Sequence, residues 1–522
     1  MPYEPTAPDY EPVTPLRAAR TQSEDEAGRV RPSHDHSSHR RGDGPAAAWL
    51  GDEEAASESS DQPGGDAVPK AKGARTPWRW PPPRRGHAAS FAGLLLFTAV
   101  VYFRPQELVS ALASFNSLAF WVAVLTLVVF VPTQLGLEGT LTARPREITL
   151  VLALVLLGLV GVPLAVEPAE AWAAWVDYAK VITMFVVMVN VVRTEFRLRA
   201  MLWLAFAVSM VLSVNAVSDY RAGRFAPGAD RVEGVIGGLF ENPNDLALHL
   251  VTMIPLATGL LFVSRGVARK ALYGATALMM TLTVVITYSR GGLLALACAS
   301  FVMAWKLKRR GRALVLAGFL AGAALLFVLA PSDYRARLGS TFGGAGDGGS
   351  AESRQALLIR SIFVSLRHPL LGVGMNNFHI LSISEKVSHN AYTQVSAELG
   401  MPALAAYLLF MLMALGRMRG VERATADDKK RARVHYLAVG MQASLVGYMV
   451  ASFFASVAYL WYVYYLVGYA LCLDRLYAAR GAEVFGRAGR SRVRGTVTDE
   501  EMGEAGAGEA SRVGSDMKAY GI

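Results

Sequence analysis

Cysteine is scarce in this 522-residue chain, which has only Cys298 and Cys472, both inside apolar runs. Two such thiols exclude a disulfide framework and a thiol-ligated metal site. Charged residues make up only 18% of the sequence, whereas hydrophobic residues make up 53%. This balance is typical of an all-α, polytopic membrane protein.

The first 88 residues lack the apolar core that a secretory signal needs, and they are rich in Pro, Gly, Ser and charged residues. Such a segment buries too little apolar surface to offset its ordering entropy. We therefore expect 1–88 to be a disordered cytoplasmic tail, 89–475 to be the membrane domain, and 476–522 to be a second disordered cytoplasmic tail.

Apolar segments thread alternately through a membrane, with Lys and Arg concentrated in the predicted cytoplasmic connections. This concentration explains the formal charge of +10 without nucleic-acid binding. The sequence predicts about 12 transmembrane helices, near 89–103, 117–132, 148–166, 176–192, 201–218, 245–263, 272–288, 292–305, 313–330, 401–416, 435–453 and 457–473.

The same threading places one large loop, 331–400, on the outer face. At about 70 residues it is too long for a simple connection, and such loops are usually functional. A helical pattern runs from Ser350 to His368 and ends at Pro369. Arg354 lies about 120° around this helix from Arg360, so we expect Arg354 to point toward the bundle.

Arg290 lies at a turn between two predicted spans, at the outer boundary of the membrane. An ionisable residue there is costly in lipid and is a candidate functional residue. The alternative is an arginine that reaches lipid headgroups. Gly291 and Gly292 follow it, and we expect them to leave the backbone open to a ligand.

His389 is a second candidate functional residue. It lies at the start of a predicted helix, which Ser388 or Asn390 would cap. A helix N-terminus binds phosphate oxygens and disfavours imidazolium, so His389 would be neutral near pH 7. The alternative is a structural histidine. Because Arg290 and Arg354 lie on the same predicted face, we favour a catalytic role.

A third group consists of Asn242, Asn244 and Asp245, around Pro243. Asn before Pro is an orthodox helix start, so one interpretation is a capped membrane helix. The other is that these side chains hydrogen-bond sugar hydroxyls, with Asn390 as a further candidate. The outward-facing residues include no Asp-x-Asp pair suited to a divalent metal.

Five motifs follow one another along the chain: Tyr102-Phe103-Arg104-Pro105-Gln106-Glu107; Phe240-Glu241-Asn242-Pro243-Asn244-Asp245; Ser289-Arg290-Gly291; Arg354 followed by His368-Pro369-Leu370-Leu371-Gly372-Val373-Gly374; and His389-Asn390 with Gly400. By the order and membrane sidedness of these motifs, the chain over roughly 90–475 resembles the O-antigen ligase and O-antigen polymerase superfamily of bacterial inner-membrane proteins.

The resemblance implies glycan transfer from an undecaprenyl-diphosphate carrier to an acceptor sugar at the periplasmic side, without a metal or cofactor. It implies that Arg290 and Arg354 bind the diphosphate and that His389 is the general base. The acceptor would be a glycan or lipid A-core; membrane lipids and polysaccharide-assembly proteins are further expected partners.

General chemistry agrees with this role. Cations are needed to hold the negative charge of the leaving diphosphate, and a base takes the proton of the attacking hydroxyl. Direct attack would invert the anomeric carbon. The sequence does not distinguish a polymerase from a ligase. The alternative class is a secondary transporter or a lipid-linked glycan flippase, which would predict two similar halves and charges near the midplane; the sequence has no evident internal repeat.

Overall fold

The computed structural model describes residues 86–104, 118–225, 242–329 and 348–479, together with residues 232, 234 and 240. The two predicted tails lie outside the described residues, apart from a few positions beside the membrane domain. The first part of the predicted outer loop, 331–347, lies outside them too. Within the described ranges the chain is helical, with short 3-10 turns and no β-strand.

The helices are numbered in chain order. They are α1 (Ala88–Phe103), α2 (Leu118–Glu138), α3 (Arg146–Gly161), α4 (Pro168–Val191), α5 (Glu195–Arg221), α6 (Pro243–Val263), α7 (Val267–Ile286), α8 (Arg290–Lys306), α9 (Arg309–Leu329), α10 (Gly348–Arg367), α11 (Phe378–Leu381), α12 (Ala391–Leu399), α13 (Met401–Thr425), α14 (Ala432–Ala451) and α15 (461–479).

Among the described residues, seven helices are long and apolar enough to cross a membrane: α2, α3 with its 3-10 extension, α4, α5, α6, α13, and α14 with its extension. This confirms the prediction of an all-α membrane protein. Each of the twelve predicted segments overlaps one helix. The count of twelve spans stays a prediction.

The centre of the bundle is the pair α6 and α14, whose apolar windows are 78% and 72% buried. Glycines allow their close approach: a Cβ on Gly259 would lie 2.6 Å from the Tyr436 carbonyl oxygen, and one on Gly440 would lie 2.8 Å from that of Pro255. In contrast, the window of α2 is only 17% buried. Its exposed apolar surface suits contact with lipid tails.

Ion pairs collect at one end of the bundle, which we call the ion-pair end. There Arg417 contacts Glu147 and lies 3.0 Å from Asp474, and Lys306 lies 2.6 Å from Glu422. The opposite end, where α6, α8 and α12 begin, is called the loop end. It carries the predicted site residues.

Candidate functional site

Arg290 begins α8, and its turn is fastened to the start of α6. The hydroxyl of Ser289 caps α8 by accepting from the amide of Gly292 at 3.2 Å. The same hydroxyl donates to Oδ1 of Asn244 at 2.8 Å. Asn244 is therefore joined to the turn that presents Arg290, which brings two of the sequence-predicted constellations together.

The glycines after Arg290 do not leave open space, as we expected them to. A Cβ on Gly291 would lie 2.8 Å from the Cβ of Phe454, and one on Gly292 would lie 2.7 Å from the Cβ of Ala247. Protein atoms therefore fill the space beside both glycines, and the expectation of an opening for a ligand is wrong. Their small size serves close packing of α8.

His389 immediately precedes α12 and adopts a left-handed backbone, with φ of 52°. Asn390 is the helix cap: its Oδ1 accepts from the amides of Tyr392 at 2.9 Å and Thr393 at 3.1 Å. Because Asn390 satisfies two of the first-turn amides, phosphate binding would fall mainly to the guanidinium groups rather than to this helix start.

The His389 imidazole is half-buried, and its surroundings disfavour its charged form. Burial lowers the pKa of His389, and the cationic groups of Arg354 and Lys386 lower it further. The neutral form, which can accept a proton, is therefore favoured near pH 7.

Arg354 lies on α10, in the predicted outer loop. Burial lowers the pKa of the Arg354 guanidinium, and the charge of Arg290 lowers it further. Arg354 is thus in electrostatic range of both Arg290 and His389. Two neighbouring guanidinium groups repel each other, and a bound anion would relieve that repulsion.

Arg360 lies elsewhere on the same helix. Its Nε donates to the Leu381 carbonyl at 2.8 Å, so it is held by the protein backbone. Arg354 and Arg360 thus have separate surroundings, as their angular separation predicts.

The remaining predicted residues lie at helix starts. Oδ1 of Asn242 accepts from the amide of Asn244 at 2.9 Å and caps α6. Asp245 is half-buried in the first turn of the same helix, in electrostatic range of Tyr448 and Tyr462. The side-chain oxygens of Asn242 and Asn390 accept hydrogen bonds from backbone amides of their own helices.

The motif at 368–374 forms a backbone clamp on the end of α12. The Val373 amide donates to the Ala397 carbonyl at 2.9 Å, and the Gly374 amide donates to the Glu398 carbonyl at 3.0 Å. A Cβ on Gly372 would lie 2.3 Å from the carbonyl carbon of Glu398, and φ at this glycine is 66°. The clamp holds the helix whose other end carries His389.

Sequence reasoning missed Glu398, whose side chain is 4% exposed at the end of α12. Burial raises the pKa of Glu398 to about 7, while the backbone amides of Asn376 and Phe378 oppose that rise. A single glutamate in a helical stretch gives no sequence signal of burial. The described residues include no cluster of three or more His, Cys, Asp or Glu side chains placed to hold a metal ion.

Comparison with known proteins gives one family match. Residues 275–408 match the family model described as "O-Antigen ligase". Among curated proteins there is no significant match. One solved chain, from a structure described as "Structural coordination of polymerization and crosslinking by a peptidoglycan synthase complex", aligns with 63% of this chain and 97% of its own length, at 17% identity and a TM-score of 0.38.

The matched residues run from α7 into α13 and include Arg290, Arg354 and His389. This match confirms the resemblance seen in the sequence over residues 275–408, which are similar to the O-antigen ligase family.

Proposed function

We propose that the protein transfers a glycan from an undecaprenyl-diphosphate carrier to an acceptor sugar, without a metal ion and with inversion at the anomeric carbon. One observation carries the proposal: Arg354 lies in electrostatic range of both Arg290 and His389 at the loop end, within the family-matched residues, although the three are far apart in sequence. Together they supply two fixed cations and one neutral base.

The two arginines bind the diphosphate of the donor. As the bond between the anomeric carbon and the diphosphate oxygen breaks, the bonding electrons pass to the diphosphate. Arg290 and Arg354 stabilise that charge, and fixed cations in a partly water-excluded site do so more effectively than solvent. Burial of Arg354 supports this role, because a half-buried cation interacts strongly with an anion.

His389 takes the proton of the acceptor hydroxyl while the hydroxyl oxygen attacks the anomeric carbon from the face opposite the leaving group. A base in this position typically contributes about 10²- to 10⁴-fold. Burial and the charges of Arg354 and Lys386 lower the pKa of His389 and so favour its neutral form before the reaction. As the diphosphate leaves, its negative charge stabilises the imidazolium that forms.

The site lies on the periplasmic face of the bacterial inner membrane, within a bundle of twelve spans whose two termini are cytoplasmic. The separation of charged residues along the helices supports this topology: Lys306 and Arg417 lie at the ion-pair end, where the positive-inside rule places the cytoplasm. The acceptor is a growing glycan for a polymerase, or lipid A-core for a ligase, with polysaccharide-assembly proteins as further partners.

The test is glycan assembly in cells that carry His389→Ala, Arg290→Ala or Arg354→Ala, with the membrane level of each variant measured. Arg367→Ala is the matched control, because Arg367 is an exposed arginine on the same helix as Arg354. We expect the first three variants to accumulate undecaprenyl-linked glycan and the control to behave like the parent.

The length of the accumulated glycan separates the two activities. Single repeat units indicate a polymerase, whereas finished chains indicate a ligase. If His389→Ala inserts normally and assembles glycan at the parental rate, His389 is not the base and transport becomes the function to test.

A further inference from the structure

A cavity of about 280 Å³ opens at the ion-pair end, between the starts of α5, α7 and α14 and the ends of α6 and α15. One part of its wall is apolar and buried, and is formed by Leu202, Phe206, Leu260, Leu437 and Leu473. The volume is close to the lower end of ordinary ligand pockets, which begin near 300 Å³. It has room for part of one alkyl chain.

The other part of the wall is cationic. Four arginines and one glutamate contribute to the lining: Arg199, Arg269, Arg431, Arg433 and Glu195. Arg199 and Arg269 are exposed, in contrast to the buried leucines. The cavity therefore joins a buried apolar region to a positively charged opening.

Carboxylates in the described part of the chain balance this charge only in part. Arg199 lies 3.5 Å from Glu195, and Arg431 lies 3.1 Å from a carboxylate on its own turn. Among the described residues, Arg269 and Arg433 have no ion-pair partner. Both of them, like Arg199, are in electrostatic range of Tyr273. The arrangement favours an anion at the opening.

The cavity and the candidate active site lie at opposite ends of α7. Arg269 and Tyr273 are in its first two turns, and its last residue is followed closely by the turn that carries Arg290. At 1.5 Å per residue, its 20 residues span about 30 Å, which is the thickness of the hydrocarbon core of a bilayer. Trp203 packs on Tyr273, with ring centroids 5.4 Å apart, as aromatic residues do at membrane interfaces.

We propose that this cavity binds an anionic phospholipid of the leaflet opposite the candidate active site. The phosphate of the headgroup contacts the arginines, and part of one acyl chain covers the buried leucines. A free phosphate ion would neutralise the same arginines but would leave the apolar wall exposed to water. None of these residues takes part in the proposed transfer, so the inference is independent of that function.

The test is lipid binding by the purified full-length protein in neutral detergent, measured by native mass spectrometry. Phosphatidylglycerol and phosphatidylcholine with the same acyl chains are the probes. We expect phosphatidylglycerol to bind more tightly. The pair Arg269→Gln and Arg433→Gln is expected to weaken phosphatidylglycerol binding about fivefold per arginine, or roughly 25-fold together. It should weaken phosphatidylcholine binding less, because the choline cation offsets the phosphate charge.

Two control pairs distinguish lipid binding in the cavity from general electrostatic attraction of the lipid to the protein surface. Arg309→Gln with Arg310→Gln removes two exposed cations at the same end but outside the cavity, and should have little effect. Arg269→Lys with Arg433→Lys keeps both charges and should retain most of the binding.

Three results would overturn the proposal. They are equal binding of the two lipids, equal weakening by the cavity pair and the outside pair, and inorganic phosphate competing with phosphatidylglycerol at equal concentration. If the glutamine pair does not fold, Val263→Phe is the second variant, because Val263 also lines the cavity. The larger side chain takes up apolar space there and leaves the arginines in place. That variant should weaken phosphatidylglycerol, and unchanged binding would count against the proposal.

Discussion

Replacing Asn390 by alanine is expected to loosen the first turn of α12 and the backbone that holds His389. The Asn390 side chain accepts two amide hydrogen bonds, at 2.9 and 3.1 Å. Loss of an N-cap of this kind costs about 1 kcal/mol, which corresponds to about fivefold more frequent opening. With nine residues, α12 is too short to be stable by itself, so opening of its first turn displaces His389.

Hydrogen exchange of the purified protein measures this opening directly. First-turn amides of α12 should exchange about fivefold faster in Asn390→Ala than in the parent, and glycan transfer should fall with it. Asn390→Ser keeps a hydroxyl acceptor and caps nearly as well as asparagine. It should restore both the slow exchange and the transfer.

The two variants also separate capping from glycan binding by Asn390. If Asn390→Ser exchanges like the parent but transfers as poorly as Asn390→Ala, the amide group itself is needed and the glycan-binding interpretation is favoured. If Asn390→Ala exchanges at the parental rate, the capping argument is refuted.

Three further predictions test the charges around His389, the backbone clamp at 368–374 and the ion pairs of Arg417. Lys386→Gln should raise the pKa of His389, because the Lys386 charge lowers it. Because the proposed mechanism uses the neutral form of His389 as the base, the acid limb of the pH–rate profile should move to higher pH, and less so at high salt. Gly372→Ala places a Cβ 2.3 Å from the backbone of α12, at a residue whose φ is 66°, and should therefore lower the thermal unfolding midpoint. Gly416→Ala is the control: its added Cβ has no atom within 4 Å, so the midpoint should stay the same. Arg417→Met leaves a fully buried carboxylate unpaired and should cost about 3–5 kcal/mol, measured as loss of folded protein from the membrane.

Local features of the fold could be predicted from the sequence. The caps at Asn242 and Asn390 follow from side-chain oxygens that reach amides two or three residues ahead. The apolar segments follow from the composition that a membrane span requires. Both depend on short stretches of chain, so a single sequence contains the information.

What packs beside the glycines could not be predicted from the sequence. Gly291 and Gly372 each lie within a motif of the family resemblance, and a sequence cannot say whether the missing side chain makes room for a ligand or for another part of the protein. The structure answers with Phe454 beside Gly291 and the α12 backbone beside Gly372. These contacts join residues far apart in sequence, and no local pattern specifies them.

Lys306 and Arg417 at the ion-pair end have different surroundings from Arg354 at the loop end. At the ion-pair end, Lys306 and Arg417 lie against carboxylates. At the loop end, Arg354 has no ion-pair partner among the described residues, and its charged neighbour is Arg290. A half-buried cation beside another cation lowers the stability of the empty protein. A bound anion, such as the diphosphate of the proposed donor, would offset that cost.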